Sequence, residues 1–110
     1  MDQKKVKLII KVYLSELRKR IRPEKVILFG SYAKGEAKKD SDIDLIVLSK
    51  DFAELSPNER FKLLYQARRH PLTRKQAMDI FGFTPEEFAH ASPLTTIGEA
   101  KETGVVVFPE

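Results

Sequence analysis

The stretch GSYAKGEAKKDSDID (residues 30–44) joins two short apolar runs and constrains the fold of this chain more than any other feature. The run before it is Lys25–Phe29, and the run after it is Ile43–Leu48, which begins beside Asp42 and Asp44. Both runs have the apolar, β-branched composition of short strands. Because residues two apart on a strand point to the same face, the two aspartates should project side by side. Neighbouring carboxylates repel each other unless a cation lies between them, so the sequence predicts a cation site here.

The Gly-Ser pair at the start of this stretch predicts a turn that binds phosphate. Gly30 permits a tight turn and a close approach of the backbone, and Ser31 opens a short helix that ends near Gly35. The first N–H groups of a helix have no partner within the helix and carry partial positive charge, which suits a phosphate. Transfer of a nucleotidyl group requires at least a phosphate-binding turn and, at this distance from it, a metal-binding strand.

Length and composition favour one small soluble domain. A chain of 110 residues is long enough for a single core, and the absence of cysteine excludes disulfides and thiolate metal sites. No apolar run approaches the roughly 20 residues of a membrane helix, and the N-terminus lacks a signal-length apolar region, so we expect a cytoplasmic protein with no membrane partner. The net charge of +4 favours anionic partners. No groove-reading motif is present, so we do not expect direct nucleic-acid binding.

Hydrophobic spacing and helix caps predict alternating helices and strands along the rest of the chain. Ser56 and Thr84 each begin a capping box followed by proline. We expect helices over residues 3–21, from Ser56 to about His70–Pro71, from Thr84 through Ala91 and from Thr96 to Gly104, and strands at 76–83 and, at a sheet edge, Val105–Phe108. This pattern predicts an α/β (α+β) domain with a mixed sheet of about four strands flanked by helices.

A third acidic residue, Asp79, lies inside the apolar run QAMDIFGF. Aspartate is disfavoured in strands and costly to bury, so its presence there suggests a function. A two-metal site needs a carboxylate that binds the metal nearest the attacking hydroxyl and helps to remove its proton. Asp79 is the best candidate for that role, and the alternative is a strand residue at the surface.

The pattern G-S-x10-D-x-D resembles the signature of the DNA polymerase β-type nucleotidyltransferase superfamily, and the short chain resembles its minimal nucleotidyltransferase (MNT) branch. The leading helix, SDIDL, the later acidic strand followed by TPEEF and the final GVVVF extend the resemblance over nearly the whole chain, so we expect one such domain over residues 1–110. The resemblance implies that Gly30 and Ser31 bind the nucleotide. It also implies that Asp42, Asp44 and Asp79 are both the catalytic residues and the metal ligands.

The same resemblance implies the substrates and the partner. It implies one or two Mg²⁺ ions as cofactor and ATP as the donor of AMP. Members of this branch are often encoded beside a helical HEPN-domain protein, and such antitoxins can transfer AMP to a tyrosine of that toxin. We therefore expect an antitoxin that forms a hetero-oligomer with a HEPN-type toxin. Two alternatives stay open: a non-catalytic antitoxin that acts by docking alone, and a nucleotidyltransferase that modifies a small molecule or an RNA end.

Other polar residues near the motif are less specific. Lys39 and Ser41, in the loop before the aspartates, are further candidates for nucleotide binding. Tyr32 and Lys34 could contact a base or a phosphate, although residues just inside a helix more often serve packing and solvation. A basic group around the next helix is either a solvated face or a surface for a partner or RNA; it comprises Arg60, Lys62, Arg68, Arg69 and His70.

Overall fold

The structure is a computed structural model that describes residues 3–38 and 40–110, apart from the Thr96 side chain. Its helices are α1 (Gln3–Leu17), α2 (Ser31–Lys34), α3 (Pro57–Gln66), α4 (Pro71–Lys75), α5 (Pro85–Ala89) and α6 (Thr96–Thr103), and a 3₁₀ helix spans Lys50–Glu54. Its strands are β1 (Lys25–Phe29), β2 (Ile43–Leu48), β3 (Met78–Phe83) and β4 (Val105–Phe108). Among the described residues, no helix has the length and apolar character needed to cross a membrane.

The four strands form one mixed sheet in the order β3-β2-β1-β4. β1 pairs antiparallel with β2 and with β4, whereas β2 and β3 run parallel. The predicted α/β class with a mixed sheet is therefore confirmed, and β4 lies at an edge as expected. Because β2 and β3 are parallel, the residues that begin both strands lie at the same end of the sheet.

Apolar side chains cover both faces of the sheet. On one face, α1 and α3 pack against alternate residues of β1 and β2 in the larger cluster, which includes the fully buried Tyr13, Leu45 and Leu64. On the other face, Ala100 of α6 packs in a smaller cluster with Ile27, Phe29, Ile46 and Leu48. Asp44 precedes Ile46 and Leu48 at intervals of two residues, so its side chain projects from the face of the smaller cluster.

The first helix is shorter than predicted. α1 ends at Leu17 rather than at residue 21, because the N–H groups of Lys19 and Arg20 donate to carbonyls only three residues back. Such bonds tighten the last turn of a helix. Ile21 is nevertheless buried in the larger cluster, which explains why its spacing resembled a continuing helix.

The helix that begins after Ser56 also ends earlier than predicted, at Gln66, and a separate helix, α4, follows it. Proline at position 71 is the first residue of α4 rather than a helix stop. His70 caps this helix, since its Nδ1 accepts a hydrogen bond from the N–H of Leu72 at 3.1 Å. Histidine is not a common capping residue, so no local sequence pattern indicates that a helix begins here.

The segments around β3 also differ from the prediction. The 3₁₀ helix was not expected; Ser49 starts it by accepting a hydrogen bond from the N–H of Asp51, and its Phe52 is fully buried. β3 begins at Met78 rather than at residue 76. The side-chain amide of Gln76 instead donates to the carbonyl of Ser41, which ties together the segments that lead into β2 and β3.

Both predicted capping boxes are present. Ser56 and Glu59 bond reciprocally at the start of α3, and Thr84 and Glu87 do the same at the start of α5. Each satisfies two backbone N–H groups that would otherwise lack a partner. α5 ends at Ala89, two residues before the expected end at Ala91, while α6 begins at Thr96 as predicted.

Candidate active site

The fold brings together the three carboxylates that the sequence analysis singled out. Asp44 of β2 lies beside Asp79 of the parallel strand β3, and Asp42 is two residues before Asp44. The three side chains each offer an oxygen that lies within 4.8 Å of the other two. Asp44 is half-buried, whereas Asp79 is exposed. We call Asp42, Asp44 and Asp79 the aspartate triad.

The triad concentrates negative charge. Burial raises the pKa of Asp44 from 3.8 to about 6, with further contributions from the charges of Asp79, Asp42 and Glu99. Burial also raises the pKa of Asp79, assisted by repulsion from Asp42 and a hydrogen bond with it, while the positive charge of Arg68 acts in the opposite direction. Crowded carboxylates of this kind are stabilised by a bound cation.

The Gly-Ser turn lies directly against the triad. β1 and β2 pair Phe29 with Asp44, so the next residue, Gly30, lies beside the Asp44 side chain. Gly30 has a φ of 75°, which favours glycine, and a Cβ atom at this position would overlap the Asp44 carboxylate. Ser31 follows as the first residue of α2, so the backbone of the turn and the carboxylates are immediate neighbours.

The donor set of the triad fits a hard divalent cation. Mg²⁺ is bound by one or two protein carboxylates together with phosphate oxygens and water, and the triad offers carboxylate oxygens only. Burial and, to a smaller extent, repulsion between the carboxylates raise the pKa values of Asp44 and Asp79, and such an ion would favour their charged forms. The residues therefore fit the metal that the family resemblance implies.

The remaining candidates for nucleotide binding occupy different positions. Lys39 lies outside the described residues. The Ser41 hydroxyl accepts a hydrogen bond from the N–H of Lys38 at 2.7 Å, which orders the loop before β2, and its nucleotide contact stays a prediction. Lys34 forms an ion pair with Glu99 at 2.6 Å. Tyr32 packs against the larger cluster.

Two residues near the site were missed in the sequence. Glu99 of α6 adds to the negative charge around Asp44 and holds Lys34 beside the Gly-Ser turn. It belongs to no motif, and only the folding of α6 over the sheet brings it here. Gln76 falls within the strand predicted at residues 76–83, although it precedes β3 and links the starts of β2 and β3 through its hydrogen bond to Ser41. Its position directly before the acidic strand was the only available signal.

The basic group around α3 separates into residues with different contacts. Arg60 donates to the carbonyls of Leu55 and Gly82 and to both carboxylate oxygens of Glu87. Arg68 donates to the carbonyls of Thr73 and Gln76. The hydrogen bonds of these two side chains connect separate segments of the fold, so Arg60 and Arg68 do not belong to a solvated face. Lys62 and Arg69 are exposed.

Comparison with known proteins identifies the family. Residues 10–101 match the family model of the nucleotidyltransferase domain. The chain belongs to this family. The match spans most of the chain and confirms the assignment to nucleotidyltransferases that the motif suggested. The nucleotidyltransferase domain therefore includes the Gly-Ser turn and all three aspartates of the triad.

Curated relatives point to the same branch. The chain is 45% identical over 47 residues to the protein adenylyltransferase MntA of Thermococcus cleftensis. The alignment covers 43% of this chain and 44% of that protein. The aligned part thus spans less than half the length of this relative. The similarity in sequence to MntA confirms the resemblance to minimal nucleotidyltransferases.

Solved structures share the fold. A toxin–antitoxin with AMP-PNP superposes with a TM-score of 0.64 at 23% identity, over 89% of this chain and 71% of the other. A mutant of the MntA–HpeT toxin–antitoxin superposes with a TM-score of 0.61 at 21% identity, over 91% of this chain and 71% of the other. At these identities the similarity concerns the arrangement of helices and strands.

Proposed function

We propose that this nucleotidyltransferase transfers AMP from ATP, in a Mg²⁺-dependent reaction, to a hydroxyl of a partner protein. The proposed acceptor is a tyrosine of a HEPN-type toxin, for which the chain would act as antitoxin. The aspartate triad beside the Gly30 turn carries the proposal, because it places three candidate metal ligands directly against the turn that begins α2. The similarity to a protein named as a protein adenylyltransferase supports the reaction type.

Two neighbours in fold support the donor and the site. One was solved with AMP-PNP, an analogue of ATP. The other carries two aspartate-to-glutamate changes two positions apart, which is the spacing of Asp42 and Asp44. Both are described as toxin–antitoxin structures, which supports a toxin as the partner.

Each residue has a role that follows from its position. The backbone of Gly30 and the backbone and hydroxyl of Ser31 bind the β- and γ-phosphates of ATP. Asp42, Asp44 and Asp79 would hold Mg²⁺, which would supply positive charge to offset the negative charge of the phosphates. Asp79 accepts the proton of the acceptor hydroxyl, since it is an exposed carboxylate on the β3 side of the site, away from the Gly-Ser turn. The hydroxyl oxygen bonds to the α-phosphorus as the bond to the bridging oxygen breaks, and pyrophosphate leaves.

The proposal is tested by following label from α-³²P-ATP. The chain is incubated with Mg²⁺ and the protein encoded beside it, and labelled protein is separated from free nucleotide. We expect label on a tyrosine of the partner, and we expect Asp42→Asn and Asp44→Asn each to lower the transfer rate by about 1000-fold or more, as for loss of a principal catalytic group.

Asp40→Asn is the matched control, because Asp40 is exposed and lies outside the triad although it is two residues from Asp42. This variant should transfer label like the wild type. Undiminished transfer by the Asp42 and Asp44 variants would overturn the site assignment. Toxin neutralisation without any label transfer would replace the enzyme with an antitoxin that acts by docking.

A further inference from the structure

A pocket of about 400 Å³ opens beside the end of α3 and the start of α4. Its lining consists of three arginines and two uncharged residues, namely Arg68, Arg69, Arg74, Tyr65 and Gln66. None of these five residues is acidic. We call this feature the arginine pocket.

The arginines of the arginine pocket form no ion pair with the residues that the structure describes, although the charge of Arg68 acts on Asp79 at longer range. In the part of the chain that the structure describes, none of the ion pairs includes a pocket arginine, whereas Arg20 and Arg60 each face a glutamate. Arg68 donates instead to two neutral carbonyls, which fix its guanidinium in place. Three guanidinium groups gathered around one concavity favour an anionic occupant, and their planar donors match carboxylates.

The pocket is connected to the aspartate triad. Arg68 Nη2 donates to the Gln76 carbonyl at 2.7 Å, and Gln76 Nε2 donates to the Ser41 carbonyl at 3.2 Å. Ser41 immediately precedes Asp42. Two hydrogen bonds therefore join the pocket wall to the segment that leads into the triad, and both features lie at the end of the sheet where β2 and β3 begin.

The order of the strands separates the pocket from the Gly-Ser turn. Gly30 follows β1 and Asp79 lies on β3, so the two lie on opposite sides of Asp44 of β2. The helix α4 leads directly into β3, which puts the pocket on the Asp79 side. If the donor phosphates occupy the turn, as in the proposed function, the β3 side is left for the acceptor.

We propose that the arginine pocket binds an acidic segment of the acceptor protein and so directs the acceptor hydroxyl towards Asp79. This inference rests on the proposed function. The segment would reach from the pocket around the β3 edge of the sheet to the triad. Arg69 and Arg74 are exposed, and nothing in the described structure restrains their side chains by an ion pair, so both can turn towards carboxylates.

The aromatic residues beside the pocket favour a protein over a nucleic acid. Tyr65 stacks with Phe61 at a centroid distance of 6.2 Å, and the Arg68 guanidinium lies 5.8 Å from the Tyr65 ring centre. A nucleobase that stacks on Tyr65 would have to displace one of these neighbours, whereas a carboxylate needs only the guanidinium edges. Phe61 and Tyr65 are 66% and 61% exposed, and exposed aromatic residues beside arginines are typical of protein interfaces.

The test measures binding separately from transfer. A fluorescein-labelled peptide with a central tyrosine between glutamates is titrated with the full chain, and its fluorescence anisotropy is recorded. A peptide with glutamine in place of every glutamate and a labelled oligouridine serve as comparison probes. Arg69→Gln/Arg74→Gln is the pocket variant, and it leaves Arg68 to hold the carbonyls of Thr73 and Gln76.

The matched control is Arg22→Gln, an exposed arginine that precedes β1 at the opposite end of the sheet from the triad. We expect the pocket variant to bind the glutamate peptide about tenfold more weakly, and the control to bind within about twofold of the wild type. Thermal unfolding of each variant shows that the fold is retained.

Equal binding of the glutamate peptide by all variants, or no binding by any, would overturn the proposal. Binding of oligouridine that depends on Arg69 and Arg74, without binding of the peptide, would replace it with a nucleic-acid site. Failure of the proposed function is seen independently, as absence of label transfer by the wild type. Loss of peptide binding in the pocket variant alone supports the pocket even in that case.

Discussion

The α-carbon of Gly30 lies so close to the Asp44 carboxylate that only a hydrogen atom fits between them. The backbone of Gly30 also has a φ of 75°, so two independent constraints require glycine. The closeness results from the pairing of Phe29 with Asp44 in the antiparallel strands β1 and β2. The turn that would receive phosphate and the carboxylate that would hold metal are thus fixed relative to each other by sheet register.

We predict that Gly30→Ala lowers the rate of AMP transfer by about 100-fold, because a methyl group at this position displaces the Asp44 carboxylate. Gly35→Ala is a matched control: Gly35 has a φ of 72°, and nothing lies within 4 Å of a Cβ built on it. Gly35→Ala, in the left-handed helical region, costs about 1 kcal/mol of stability, whereas Gly30→Ala costs more because its φ of 75° and ψ of −153° suit glycine almost alone; only Gly30→Ala should affect transfer. Urea unfolding and label transfer measure the two effects. Equal transfer rates in the two variants would contradict the prediction.

The raised pKa of Asp44 predicts how stability depends on pH. In the folded chain this carboxyl has a pKa of about 6, above its value of 3.8 in the unfolded chain, so the folded state binds the proton more tightly. The metal-free protein should therefore lose stability as the pH rises from about 4 through 6. The full decrease in its free energy of unfolding should be present at pH 7.5.

Asp44→Asn should remove this dependence. After allowance for solvent screening, we expect this variant to be about 1 kcal/mol more stable than the wild type at pH 7.5 in EDTA, and the difference to shrink at pH 5. Urea unfolding at the two pH values measures it. Asp40→Asn serves as the control, since Asp40 is not part of the triad. If Asp44→Asn were less stable than the wild type at pH 7.5, the charge of Asp44 would have to be compensated by other groups of the protein.

Metal binding should stabilise the fold through the same carboxylates. At a Mg²⁺ concentration about ten times its Kd, we expect a gain of about 1.4 kcal/mol, which is several degrees in Tm. The gain should be smaller at pH 5.5, where protons compete for Asp44, and absent in Asp42→Asn/Asp44→Asn. Scanning calorimetry with MgCl₂ and with EDTA tests this. Equal stabilisation of the double variant would show that Mg²⁺ binds elsewhere.

The parts of the site that the sequence predicted are those set by local spacing. Both strands that flank the Gly-Ser turn begin and end at the predicted residues, because each is a short, mainly apolar run; Gly30 ends β1, and Asp42 and Ser49 flank β2. The pairing of Asp42 with Asp44 follows from the two-residue period of a strand. Asp79 was recognised as unusual within an apolar strand, and the parallel register of β2 and β3 brings it to Asp44.

The parts that the sequence did not predict depend on contacts between distant segments. Glu99 reaches the surroundings of Asp44 only because α6 packs over the sheet, and no local pattern indicates that packing. α4 was missed because its cap is the imidazole of His70 rather than a hydroxyl or carboxylate. The basic residues of α3 looked alike in sequence, although Arg60 and Arg68 bind carbonyls of other segments while Arg69 is exposed.

Arg60 illustrates how one such contact stabilises the fold. Its side chain is 13% exposed, and it joins α3 to the Gly82 carbonyl of β3 and to the Glu87 carboxylate of α5, while its guanidinium lies 5.7 Å from the Phe52 ring centre. We predict that Arg60→Ala costs about 2–3 kcal/mol, because it removes charge-assisted bonds and leaves the Gly82 carbonyl without this donor. Lys62→Ala, an exposed change on the same helix, should cost less than about 0.5 kcal/mol. Urea unfolding of both variants at pH 7.5 measures the difference, and equal costs would show that the Arg60 bonds are offset by solvent.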